Sequence, residues 1–66
     1  MKLEFKENDL GYQIWEDGKD TDKVKFEYIG MIAKETKALI IHEDYSGILG
    51  FEEIEQIYNF MKDNFA

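Results

Sequence analysis

The chain has no cysteine and no arginine, and it carries a single histidine and a single serine. Without cysteine there is no disulfide and no thiolate metal site to staple the fold. At 66 residues a core buries only about 60% of the unfolded surface, so stability must come from packing or association. Without arginine the chain lacks the usual bidentate reader of phosphate and guanine. His42 and Ser46 are four positions apart, with no oxyanion donor between them. His42 and Glu43 are strand neighbours, which point to opposite faces. The five glycines are scattered and form no phosphate loop. No apolar run approaches the roughly 20 residues that cross a bilayer, and the opening MKLEFKEN alternates where a signal peptide has an apolar core. These absences predict a cytoplasmic, non-enzymatic chain with no cofactor, no metal and no membrane partner.

What is abundant is negative charge. Formal net charge is −7, and it is uneven. Residues 1–37 hold nine acids and seven lysines, while residues 38–66 hold six acids and one lysine. Such a surface repels nucleic acid and attracts a basic partner.

The strongest periodic signal is at 51–65. Phe51, Ile54, Tyr58, Met61 and Phe65 step by three and four residues, and with Ile57 they fill an arc of roughly 120° on a helix. Gly50 is an acceptable N-cap, and Glu53 stands where a capping-box carboxylate reaches back to it. Leu49 and Ile54 occupy the positions of a hydrophobic staple. Glu52 and Glu53 suit the positive end of the helix dipole, and Lys62 the negative end. Phe60 lies about 60° outside the apolar arc, which predicts an exposed aromatic and a candidate partner anchor.

Upstream, Leu3 and Phe5 alternate with charged residues as a strand with one buried face. Leu10, Tyr12 and Ile14 repeat the pattern. A two-residue turn at Asn8-Asp9 would pair Phe5 with Tyr12 and Leu3 with Ile14. Residues 16–23 are polar and read as a loop; the spacing of Glu16, Asp17, Asp20 and Asp22 does not match an EF-hand. Residues 24–33 and 38–43 read as two further strands joined by an even-numbered turn, with Ile32 facing Leu39 and Gly30 facing Ile41. Gly30 marks a bulge or a close backbone approach. Val24, Phe26, Tyr28, Gly30, Ile32, Leu39 and Ile41 then face the helix. Ile29, Met31, Ala33, Ala38, Ile40 and His42 face outward, joined by Trp15. Ile48 and Leu49 are expected to tuck under the helix start. The expected fold is one α+β domain over residues 1–66. It is a four-stranded antiparallel sheet in ββββα order, a meander by its short connections, with one C-terminal amphipathic helix packed on one face.

A single helix covers one sheet face, yet the later hairpin carries apolar residues on both. Trp15, Ile29, Met31 and Ile40, with Phe60, are therefore the expected apolar interface, for a partner or for a homodimer through the outer sheet face. Glu43, Asp44, Glu52, Glu55 and Asp63 are the expected acidic interface, standing in for phosphates against a basic protein surface. In size and composition the chain is similar to phage-encoded inhibitors of host defence enzymes, including anti-CRISPR proteins, and that resemblance implies an inhibitor of a nucleic-acid-binding surface. The run GILGFEE at 47–53, after four strands, resembles the PC4-like single-strand-binding transcription cofactors, which implies stacking on Tyr12 and Trp15. The basic groove of that family is missing, so direct nucleic-acid binding is not expected.

Overall fold

The computed structural model describes residues 1–17 and 26–65, without the side chains of Asp17, Phe26 and Glu27. The acidic loop at Asp20 and Asp22, together with Val24, lies outside the described residues. Four strands, β1 (Leu3–Glu7), β2 (Gly11–Asp17), β3 (Phe26–Ala33) and β4 (Leu39–Ile41), form one antiparallel sheet in sequence order. The helix α1 (Phe51–Phe65) follows. This is the predicted α+β meander with a C-terminal helix.

The first hairpin differs from the expected register by two residues: Phe5 pairs with Ile14, Leu3 with Glu16 and Glu4 with Trp15. The cause is the turn. Asn8 Oδ1 accepts the N–H groups of Leu10 and Gly11, both at 2.9 Å, and the Asn8 N–H donates to the Gly11 carbonyl at 2.8 Å. The loop therefore takes four residues, 8–11. A shift of two leaves each side chain on its own face, so Leu3, Phe5, Tyr12 and Ile14 still share one side.

The β3–β4 register is as expected, with Ile32 opposite Leu39 and Gly30 opposite Ile41. Lys37 has a left-handed φ of 57° and closes the turn through N–H···O to Ala33 at 2.9 Å. β4 is shorter than predicted, because a turn begins at His42, whose carbonyl accepts the Tyr45 N–H at 3.0 Å.

The larger correction lies in β3. Ile14 pairs with Gly30, but Trp15 pairs with Tyr28, so Ile29 is the extra residue of a β-bulge. Ile29 was expected on the outer face. The bulge turns it inward, where it is 0% exposed and packs with Leu3, Ile14, Ile32 and Ile57. The same bulge sends Tyr28 outward, with its ring 5.1 Å from Trp15. Gly30 is also a close approach: a Cβ there would run into the Ile40 carbonyl oxygen and come within 2.9 Å of the Ile41 Cα.

The helix has the expected bounds and cap. The Gly50 N–H donates to Glu53 Oε1 at 2.8 Å, and the Ile54 N–H donates to the Gly50 carbonyl at 3.0 Å. Its roll is different. Ile57 and Glu53 are buried, with Gln56 and Phe60 half-buried, whereas Phe51, Ile54 and Tyr58 are 80%, 57% and 62% exposed. On a helical wheel the inward arc is displaced by roughly 100° from the apolar one. Two contacts account for this. Gln56 accepts the Leu3 N–H at 2.8 Å and donates to the Met1 carbonyl at 2.6 Å. Phe60 stacks on Phe5 with centroids 4.1 Å apart and planes within 6°, and it meets the Tyr12 ring edge-on at 4.9 Å. Phe60 is thus a packing residue, not the exposed anchor its position outside the arc suggested. Leu49 does pack against the core, but Ile48 is 86% exposed.

Two predictions follow from these contacts. Gly30→Ala should destabilise the protein by about 1–3 kcal/mol, because the added methyl meets β4 backbone; urea unfolding measures the loss. Glu53 is held below the usual 4.5, first by its bond to the N-terminal ammonium at 3.1 Å and then by the Gly50 N–H. A lowered carboxyl pKa adds stability above pH 4.5 that is lost as pH falls through the folded value. Glu53→Gln should flatten that part of a stability-against-pH curve.

Candidate docking surface

The roll of α1 decides which surface is open. Gln56 reaches an N–H on the free edge of β1, so α1 lies over β1 and β2. The other flank of the helix carries Ile54 and Tyr58 exposed, while Met61 and Phe65 pack against the core, Phe65 with its ring 5.9 Å from Tyr12 of β2 on the helix-bearing face of the sheet. On that same sheet face Leu39 and Ile41 of β4 remain 41% and 42% exposed. Exposed apolar side chains of β4 and of the helix thus occur on one side of the sheet. A cleft of about 330 Å³ lies at the C-terminal end of α1, lined by Lys37, Tyr58, Met61, Lys62 and Phe65. Lys62 Nζ sits 5.8 Å from the Tyr58 ring centre.

The charged residues at the cleft are Lys37 and Lys62; the carboxylates lie elsewhere on the helix. Glu52, Glu55 and Asp63 are all exposed on α1. By the 100° rule Glu55 is next to the Phe51–Tyr58 stripe, whereas Glu52 and Asp63 lie roughly 100–120° round from Phe51, toward Gln56 and the β1 edge, where Glu52 Oε2 is 3.7 Å from the N-terminal ammonium. Glu43 and Asp44 are exposed in the connection between β4 and α1. Among the described residues no group of three or more His, Cys, Asp or Glu is arranged to hold a metal ion.

The expected outer-face residues are partly reunited. Gln13, Met31 and Ile40 are opposite one another across β2, β3 and β4. Beside them runs a row of rings: Trp15 to Tyr28 at 5.1 Å, and Tyr28 to His42 at 5.2 Å. Lys6 Nζ lies 5.5 Å from the Trp15 ring centre, and Trp15 Nε1–H donates to Gln13 Oε1 at 3.3 Å. The rings are tilted by 59° and 72°, so each spends part of its face on the next and they form no level stacking platform. His42 Nδ1 accepts the Asp44 N–H at 3.2 Å. Ile29 is absent from this face, and Phe60 lies on the opposite side of the sheet.

The acids of α1 and the outer apolar row are therefore separated by the sheet. The exposed apolar residues on the helix with the acids are Phe51, Ile54 and Tyr58, which periodicity had assigned to the core. The signal that could have found them was Phe60 itself. It shares one arc with Glu53, whose capping role holds it near the body, and with Gln56.

Compared with known proteins, the chain matches no family model, no curated protein and no solved structure. Among the described residues no helix is long and apolar enough to cross a membrane.

The roll of α1 can be checked by truncation. Ile57→Ala should cost about 2–5 kcal/mol, whereas Ile54→Ala, at an exposed site, should stay within roughly 1 kcal/mol. Paired urea titrations of the two variants give the comparison.

Proposed function

We propose that this chain is a non-enzymatic protein-binding module that takes a basic partner surface onto the exposed side of α1. One observation carries the reading: Phe51, Ile54 and Tyr58 stand 80%, 57% and 62% exposed on a helix whose remaining exposed surface carries Glu55, Glu52 and Asp63. Aromatic and aliphatic anchors supply most binding energy at interfaces, and a charged border steers the encounter and selects the partner. The partner that fits has apolar side chains flanked by lysine or arginine. Basic surfaces that grip nucleic acid have that character, so occupying one would make this chain a competitor of nucleic acid. The absence of arginine and the net charge of −7 oppose direct nucleic-acid binding, which depends on counterion release by cationic side chains.

A synthetic helical peptide with leucine on one face and lysine on the other should bind. A peptide of the same composition in scrambled order should not. Glu52→Gln with Glu55→Gln, or Phe51→Ser with Tyr58→Ser, should each weaken binding about tenfold or more in a protein that circular dichroism shows to be folded. Fluorescence anisotropy measures both. Equal binding of the scrambled peptide, or undiminished binding by both double variants, overturns the reading.

A further inference from the structure

We propose that β4 is a self-pairing edge, and that two copies of this chain join there into one continuous eight-stranded sheet. The two edges of the sheet are treated differently. On β1, Gln56 of the helix occupies the Leu3 N–H and the Met1 carbonyl, and Lys2 and Lys6 add charge. Such devices keep an edge from pairing. On β4 the hydrogen bonds to β3 are made by alternate residues: the His42 N–H donates to the Ile29 carbonyl at 2.8 Å, and the Ala38 carbonyl accepts the Ala33 N–H at 2.9 Å. Ladder alternation then places Ile40 in a hydrogen-bonded pair with Met31, and turns the N–H and C=O groups of Leu39 and Ile41 away from β3. Among the described residues nothing pairs with them. The three residues of this edge are all large and apolar, with Leu39, Ile40 and Ile41 at 41%, 51% and 42% exposure.

The second copy fits because the edge is complementary to itself. An antiparallel pairing with Ile40 on the two-fold axis sets Leu39 against the partner's Ile41, and Ile41 against the partner's Leu39. These are the residues whose backbone groups face outward, so each pair exchanges two hydrogen bonds. Ile40 meets the partner's Ile40 in the closer, non-hydrogen-bonded position. No other two-fold register pairs all three residues. The two-fold also sets the end of β4 that leads to Glu43 beside the turn at the partner's Lys37, and does so twice, so an acidic end of one copy adjoins a basic end of the other. The axis is perpendicular to the sheet and leaves both helices on one face. The exposed Leu39 and Ile41 side chains of the two copies then lie side by side on the helix-bearing face. This pairing is independent of the docking reading for α1, since it uses the sheet edge and not the helix surface.

Sedimentation equilibrium from micromolar to millimolar protein should show a monomer–dimer equilibrium. Hydrogen exchange followed by NMR should show the Leu39 and Ile41 amides becoming protected as concentration rises, while the Ile54 amide, already bonded within the helix cap, does not change. Ile40→Lys places two ammonium groups on the axis and should weaken dimerisation about tenfold or more. Leu39→Pro deletes an outward donor at a position an edge strand tolerates and should do the same; circular dichroism confirms that each variant is folded. Met31→Lys, on the outer face but off the edge, should leave the dimer intact. A monomer at every concentration, or a dimer lost with Met31→Lys whose Leu39 and Ile41 amides stay unprotected, overturns the proposal.

Discussion

Gln56 ties the helix to the sheet at one place, and most of the surface follows from it. Its side-chain amide takes the Leu3 N–H with its oxygen and gives a hydrogen to the Met1 carbonyl, as a neighbouring strand would. A half-buried amide with both ends satisfied is favourable, and a half-buried one with either end unpaired is costly. Once Gln56 is fixed against β1, Phe60 one turn later stacks on Phe5, and Glu53 one turn earlier points at the N-terminal ammonium. Those three residues define the inward arc. Of the broad apolar stripe, Ile57, Met61 and Phe65 reach the core. Phe51, Ile54 and Tyr58 are left facing water because the helix has no further roll to give.

The bulge at Ile29 does the complementary task on the sheet. A regular β3 would put Tyr28 under the helix and Ile29 outside. One extra residue exchanges them, so the centre of the core receives an isoleucine and the outer face receives a ring that packs between Trp15 and His42. The next residue, Gly30, lets β4 come close enough that a Cβ has no room. Among the described residues the buried apolar members of the core are Leu3, Ile14, Ile29, Ile32 and Ile57. Exposed apolar side chains collect along the helix, at Phe51, Ile54 and Tyr58, and on β4. Both readings of function start from these side chains. One places a basic partner against the helix surface that carries carboxylates. The other closes the β4 edge, whose outward hydrogen-bonding groups are unpaired among the described residues, with a second copy of itself.

Much of the architecture was legible because it rests on neighbours in the chain. The helix bounds come from Gly50, Glu53 and a spacing of three and four. The strands come from alternation, and the β3–β4 register from an even turn. The sides of the first hairpin survive a misjudged loop because a slip of two preserves parity. Ile29, Phe60 and the Phe51–Ile54–Tyr58 stripe were misplaced for one common reason. Periodicity says that an element has an apolar side and how wide it is, and nothing in it ranks the two margins of a wide stripe or signals an inserted bulge residue.

Local chemistry alone thus settled the number, order and type of the elements, the negative charge carried by residues 38–66 and the cap that starts the helix. Which side of each element meets the core was settled by contacts between residues far apart, Leu3 with Gln56 across 53 positions and Phe5 with Phe60. Such contacts exist only after the strands have paired and the helix has docked, because the backbone groups they satisfy become an edge, and their rings become neighbours, only then.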